Sequence, residues 1–362
     1  MRFTIPLKEF REAFHQAAAV SPSKTPKEIL KFVRCTTTEN GIALIGTSGE
    51  ISVEKRLRLP VDKQGEMLLP VDTLKAWLNK VPDGDITIDG DEKNVMFQSG
   101  RSKANVPTCD PQDFPPIDQF EATGDIHVEA GWLANALRWT VFATDVESAR
   151  YALGGVLING KEVVATDSRR LSLVTIGMDV HGNIGSPIVP SAAVRAALAP
   201  IAELGTEDSV SIRCCNNRAA FECGDTVITA RLVEGRFPKY QDVIPKSAKA
   251  TIRINTGELS DAVRQMEAFT DAETRGVDFK FADGLYLSAI ASSRGSANTS
   301  LPIDYQGEPI TATFDPRYIY EMLRHVPAEE SVDWHITDSE SPSVLKYGSW
   351  QYVVMPLSRD KA

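Results

Sequence analysis

Apolar residues recur at i, i+3, i+4 and i+7 in three places along the chain, each time just after a short alternating stretch. Phe10, Ala13, Phe14 and Ala17 follow Phe3-Thr4-Ile5. Leu133, Ala136, Leu137 and Thr140 follow Ile126-His127-Val128, and Leu259, Ala262, Val263 and Met266 follow Ile252-Arg253-Ile254. The spacing predicts a strand and then an amphipathic helix in each case. Alanine stands three residues after the first apolar position every time, where a small side chain lets a helix lie close to its neighbour.

A second helix repeats as well. Met67-Leu68-Leu69-Pro70 leads into Leu74, Trp77 and Leu78; Pro187-Ile188-Val189-Pro190 leads into Val194, Ala197 and Leu198; and Ile310-Thr311-Ala312-Thr313-Phe314-Asp315 leads into Ile319, Met322 and Leu323. Asp315-Pro316 is a good helix start, an N-cap acceptor followed by proline at the first helical position. A third marker, Asp113-Phe114-Pro115, returns as Arg236-Phe237-Pro238. Matching order and interval across three markers divides the chain into three copies of one unit, over 1–124, 125–248 and 249–362. Each copy has two helices among short alternating strands such as Gly41-Ile42-Ala43-Leu44-Ile45 and Gly284-Leu285-Tyr286-Leu287. The predicted class is α+β, with helices packed on one face of mostly antiparallel sheet.

Composition narrows the function. At 362 residues the chain exceeds one ordinary core, and 42% hydrophobic with 24% charged residues is the balance of a globular protein. No apolar run is long enough to span a bilayer, and charged residues near Met1 interrupt what a signal peptide needs. A cytoplasmic protein is expected. The five cysteines form no CxxC pair and the five histidines are scattered, so reduced thiols and neither metal nor cofactor are expected. A net charge of −10 argues against generic adhesion to nucleic acid but leaves room for a small basic surface.

Residues 163–174 read as two short β-branched strands hinged on Thr166-Asp167-Ser168 and followed by two arginines. Ser168 has neither a glycine-rich elbow nor a histidine motif beside it, which removes the basis for a serine hydrolase. Four stretches carry a family resemblance: Arg150-Tyr151-Ala152-Leu153-Gly154-Gly155, Ala165-Thr166-Asp167-Ser168-Arg169-Arg170-Leu171, Arg231-Leu232-Val233-Glu234-Gly235-Arg236-Phe237-Pro238-Lys239-Tyr240 and Tyr352-Val353-Val354-Met355-Pro356-Leu357. With them, and over essentially its whole length, the chain resembles the bacterial DNA polymerase sliding clamp, the beta subunit of the polymerase III holoenzyme. The resemblance implies a head-to-tail homodimer closing a six-domain ring, helices lining the hole and sheets outside. It also implies no catalysis and no membrane, only a tether between polymerase and duplex DNA.

A ring that slides needs diffuse phosphate attraction and no base-specific contact. No base-reading or aromatic stacking motif is present, in keeping with that role. A repeat-built scaffold without DNA is the alternative that composition leaves open.

The family's partner pocket, which takes short linear peptides from the replicative polymerase and clamp loader, carries over onto Leu153, Thr166, Ser168, Arg169, Arg170 and Leu171, onto Pro238 and Val243, and onto Tyr318, Val353, Met355, Pro356 and Leu357. Arg170 and the Thr166 hydroxyl are expected to orient the peptide over an apolar floor. Ser168-Arg169 stands where Gly-His is usual, and Asp242 where a basic residue is common.

By resemblance, Lys24, Arg150 and Tyr151 face DNA. The helix register adds Lys75, Arg138, Arg195 and Arg264, which lie off the apolar faces, so the hole should be only modestly basic. Ring closure is expected between an edge strand around Arg101, Lys103 and Ala104 and one around 293–298, with Arg294 and Ser296 on it and Phe269 as an apolar contact.

Overall fold

The structure is a computed structural model that describes residues 1–358 except 92, 118–120, 148–150, 178–180, 272–275 and 293, and except the side chains of Tyr151 and His181. The described α-helices are α1 (Leu7–Ala17), α2 (Val71–Leu78), α3 (Ala130–Val141), α4 (Ser191–Ala202), α5 (Thr256–Glu267) and α6 (Pro316–Leu323). They are the helices the spacing predicts, two per copy, and the apolar faces of α1, α3, α5 and α6 are buried as expected. Local chemistry sets the starts. Asp315 accepts the amide of Arg317 at 3.0 Å with Pro316 in the first helical position, and Asn255 accepts the amide of Glu258 at 3.0 Å. Two positions differ. Trp77 is only half-buried, its ring 6.0 Å from Phe97, and Leu198 yields its place to Ile201 because α4 continues through Pro200.

The chain packs as two compact units, Met1–Ala134 with Val180–Val233, and Asn135–Asp179 with Glu234–Ala362. In the first unit, a five-stranded sheet runs in the order Val61–Lys63, Arg2–Pro6, Asp85–Gly90, Asn94–Ser99, Ser102–Pro107. A nine-stranded sheet begins at His181–Gly182, passes through Gly124–Glu129, Ser209–Cys214, Arg218–Cys223 and Thr226–Arg231, then through Ile51–Arg58, Gly41–Thr47 and Phe32–Thr38 to Glu66–Pro70. Phe3, Phe10, Phe14 and Phe97 close the core beneath α1, with Phe10 and Phe14 stacked at 6.0 Å.

In the second unit, strands Gly155–Asn159, Glu162–Thr166 and Arg170–Thr175 continue into Trp350–Val354, Ser343–Tyr347, Ser331–Ile336 and Ala250–Asn255. A four-stranded sheet runs Gly295–Leu301, Leu285–Ala291, Val277–Phe281, Ile310–Phe314, with buried Trp334 against Phe279, Phe281 and Phe314. All the strand pairs given above are antiparallel.

The sheets do not stop where the sequence repeats do. Thr226–Arg231 of the second copy pairs with Ile51–Arg58 of the first, with Ile228 opposite Val53. Arg170–Thr175 of the second copy pairs with Trp350–Val354 of the third, with Leu171 opposite Val353. An open strand edge is an unsatisfied row of amides and carbonyls, and each of these edges is covered by the next copy. The middle copy thus contributes to both units.

An aromatic cluster holds the second of these seams. Trp139 and Trp350 stack at 5.1 Å, the Trp350 indole donates to Ser172 Oγ at 2.7 Å, and Ser172 donates to the Trp139 carbonyl. His325 stacks on Phe142 at 4.9 Å, and burial, with Arg324 and Arg138 nearby, pushes its pKa down to about 4 from 6.5. The unfolded chain therefore takes up this proton first, and stability drops as pH falls from about 6.5 to about 4. Urea unfolding at a series of pH values should show that loss, and His325→Gln should flatten it. An unchanged pH slope in the variant would assign the loss elsewhere.

Candidate functional site

The hairpin corner at 167–169 is built by its own side chains. Asp167 Oδ1 accepts the amides of Arg169 at 2.9 Å and Arg170 at 3.0 Å. Thr166 Oγ1 donates to the Arg170 carbonyl at 2.6 Å and accepts the Ser168 amide at 3.2 Å. Ser168 closes the turn at φ 78°, and among the described residues it is the only non-glycine at positive φ. That conformation favours glycine, so the serine here is held against its own preference by the turn's hydrogen bonds.

Arg170 pins this corner to the rest of its unit. Its Nε donates to Asp167 at 2.9 Å, Nη1 to Glu321 and Nη2 to the Phe142 carbonyl at 3.0 Å. The guanidinium lies 4.6 Å over the Tyr318 ring and 5.4 Å over Phe142. Burial alone would lower its pKa, but Tyr352 and Glu321 outweigh that and hold it above the ordinary value. Burial also pushes the Tyr352 phenol up, while its hydroxyl donates to the Tyr318 carbonyl at 2.9 Å.

Beside the corner lies a depression of about 190 Å³. Four separate stretches of the chain meet in it. Leu153, Leu171 and Val353 are buried; Met355 and Val243, 39% and 46% exposed, stand at its opening with Pro238. Thr166, Ser168, Arg169 and Arg170 complete the side formed by the corner. The Met355 amide donates to the Arg169 carbonyl at 2.9 Å, which ties the tail segment to the turn.

Two of the expected lining residues fall elsewhere. Pro356 and Leu357 line a separate depression with Thr311, Thr313 and Ser339, held there because the Leu357 amide donates to the Thr313 carbonyl at 2.7 Å. Tyr318 is not in the lining either; it backs Arg170. Arg170 and Thr166, expected to orient a peptide, both stand in the lining, and their polar atoms also hold the corner and the seam. Lys239 and Tyr240, which sequence reasoning left out, do line the pocket. Both belong to the 231–240 stretch that carried the resemblance. Buried Tyr240 donates its hydroxyl to Glu162 at 2.5 Å and accepts from Asn159 at 3.1 Å.

The basic positions are less uniform. Lys24, Arg138, Arg195 and Arg264 are exposed. Lys75 is half-buried and donates to the Ala18 carbonyl at 3.2 Å, and burial lowers its pKa against the pull of Asp72. Arg264 and Arg324 lie 5.5 and 5.9 Å from the Tyr320 ring. Tyr151 opens the 3-10 turn Tyr151–Gly154, and Arg150 lies outside the described residues. Among the described residues no group of three or more histidine, cysteine or acidic side chains could hold a metal, and the five cysteines are free.

A threefold α+β repeat whose sheets run on from copy to copy is the architecture of a DNA clamp. Residues 1–118, 127–239 and 241–358 match, in turn, the N-terminal, central and C-terminal domains of the DNA polymerase III beta subunit. The chain therefore belongs to the DNA polymerase III beta subunit family, the non-catalytic sliding clamps that encircle DNA and bind polymerase. It is 25% identical over 366 residues to the beta sliding clamp of Chlamydia muridarum, covering 99% of each chain. It is 26% identical over 369 residues to that of Proteus mirabilis, covering 99% of this chain and 100% of the relative. The sliding clamp of Bartonella birtlesii, solved bound to griselimycin, superposes with a TM-score of 0.90 at 24% identity, covering 99% of this chain and 100% of that one. The beta subunit of Thermotoga maritima superposes with a TM-score of 0.88 at 20% identity, covering 99% of each chain. Among the described residues no helix is long and apolar enough to cross a membrane.

Proposed function

We propose that this clamp works as a homodimeric ring of three domains per chain, divided at 1–124, 125–248 and 249–362. In the cytoplasm it would hold the replicative polymerase and receive the clamp loader through short peptides seated in the pocket beside residues 167–169. The observation that carries this is the pocket itself. Leu153, Leu171 and Val353 offer a buried apolar floor, and Met355 stands exposed at the opening as an adaptable wall.

Ring closure has candidate edges. Ser102–Pro107 is an outer strand of its sheet, and Gly295–Leu301 is an outer strand of another. Lys103 on the first and Arg101 just before it would meet no acid on the second, which carries Ser296 and follows Arg294, so backbone pairing would close the ring. Ala104 packs towards its own core. Phe269 is half-buried, whereas Ile290, 77% exposed and opposite Ser296, is the stronger apolar contact.

DNA contact would be diffuse, from Lys24, Arg138, Arg195, Arg264 and the Arg324 that shares Tyr320 with it. Loading by a clamp loader onto circular or linear duplex tests this function. Retention on the circle and rapid loss from the linear form are expected. Direct DNA binding should be weak, and Arg138→Ala with Arg264→Ala should reduce its salt slope by up to about two phosphate equivalents. Equal retention on both forms would mean that the chain does not encircle DNA.

A further inference from the structure

We infer that Met355 is an oxidation switch, and that converting its thioether to a sulfoxide with hydrogen peroxide releases a peptide from the pocket. This rests on the partner-pocket proposal above and adds a control on it. Among the described residues, only two methionine side chains are exposed. Met355 stands at the opening of the pocket, and Met96, 41% exposed, lies on the strand Asn94–Ser99. Met1, Met67, Met266 and Met322 are buried.

Three of the five thiols are withheld from the same oxidant. A thiol reacts as its thiolate, whereas a thioether needs no deprotonation. Burial pushes the Cys214 and Cys223 thiols up to about 12, and it raises Cys35 as well. Cys109 and Cys215 are half-buried, and neither lines the pocket. The oxidisable group of the pocket is therefore the Met355 sulfur.

The sulfur gives an electron pair to one peroxide oxygen and the O–O bond breaks. The hydroxide that leaves takes up a proton and departs as water. Sulfur has gained one oxygen and lost two electrons, and the peroxide has taken them. A flexible apolar side chain has become a polar one. The floor beside it, Leu153, Leu171 and Val353, has no side-chain donor for the new oxygen. The Thr166 hydroxyl is held by the Arg170 carbonyl, and Arg170 by Asp167, Glu321 and the Phe142 carbonyl. An apolar anchor seated there would strip water from the sulfoxide without replacing its hydrogen bond. The backbone cannot carry the group away, because the Met355 amide is tied to the Arg169 carbonyl at 2.9 Å.

Peroxide treatment of the folded chain, followed by mass spectrometry and fluorescence polarisation, tests the inference. The probe is a labelled peptide with leucine anchors, measured before and after treatment. Peroxide should convert Met355 and Met96 ahead of the buried methionines. Bound peptide should slow conversion at Met355 and not at Met96. Affinity should fall roughly tenfold or more as the Met355 sulfoxide accumulates, and a methionine sulfoxide reductase should restore it. The fall should persist in Met96→Leu. In Met355→Leu, whatever its starting affinity, peroxide should leave binding as it was. Full conversion of Met355 with unchanged affinity overturns the inference and leaves the pocket proposal standing. So does a Met355 that stays reduced while Met96 is oxidised. If the untreated chain does not bind the peptide, or if bound peptide fails to shield Met355, the pocket proposal falls and this inference with it. Reversal by the reductase decides the matter on the unaltered chain, even if a variant folds poorly.

Discussion

Replacing Arg170 with alanine should destabilise the second unit by about 3 kcal/mol, the cost of opening a largely buried ion pair from one side. The side chain is only 8% exposed, and its loss leaves Asp167 without its cation and the Phe142 carbonyl without a donor. The loss should be no larger because Glu321 is 40% exposed and can turn to water. Arg170→Lys should recover only part of the loss, since an ammonium cannot reach three acceptors in a planar fork or stack on Tyr318. Arg169→Ala, one residue away and exposed, should stay within about 0.5 kcal/mol of the unaltered chain. Urea unfolding of the three variants decides the matter. An Arg170→Ala chain as stable as the original would show that the corner does not depend on this side chain.

Met355→Ala should weaken binding of a partner peptide by about 1–3 kcal/mol, the usual range for an apolar residue in direct contact across a small interface. Met355 is the cleaner probe because its side chain is 39% exposed and lies just past the end of Trp350–Val354. Little core packing goes with it. Leu171→Ala would confuse two effects, since Leu171 is buried opposite Val353 in the seam and its truncation costs about 2–5 kcal/mol of folding stability. Titration calorimetry alongside thermal unfolding separates them. Lost affinity without lost stability in Met355→Ala supports the pocket, and unchanged affinity excludes it.

The helices were readable in the sequence because each carries its own periodicity. Three or four apolar residues on one face determine where Phe10, Leu133 or Leu259 must point, whatever the rest of the chain does. The pocket was readable through short stretches with a family resemblance, and ten of the thirteen positions expected there meet in one depression. The failures have a common physical source. Pro356 and Leu357 were carried over with Met355 from the resemblance of the tail stretch, but the strand ends at Val354 and one hydrogen bond to Thr313 holds them elsewhere. The tie from Arg170 to Glu321 was not foreseen, because the two lie far apart in sequence and no local pattern announces a long-range ion pair. Lys239 was invisible for a similar reason: a lysine after a proline is usually only solvated, and its place at the opening depends on Tyr240 being anchored to Glu162. That two sheets would cross copy boundaries was also out of reach, since strand partners are not encoded in the alternation of either strand.

Those crossings bear on how far the sequence can drift. The pairing of Thr226–Arg231 with Ile51–Arg58 joins two copies through amides and carbonyls, which every residue but proline supplies alike. Mutations that change the outward side chains of either strand leave the seam's hydrogen bonds in place. Inheritance can therefore rewrite most of the alphabet on both strands without parting the copies. A joint made from side chains would need compensating changes on both sides at once. A lineage whose members share about a quarter of their residues and still superpose closely is what such a backbone joint permits.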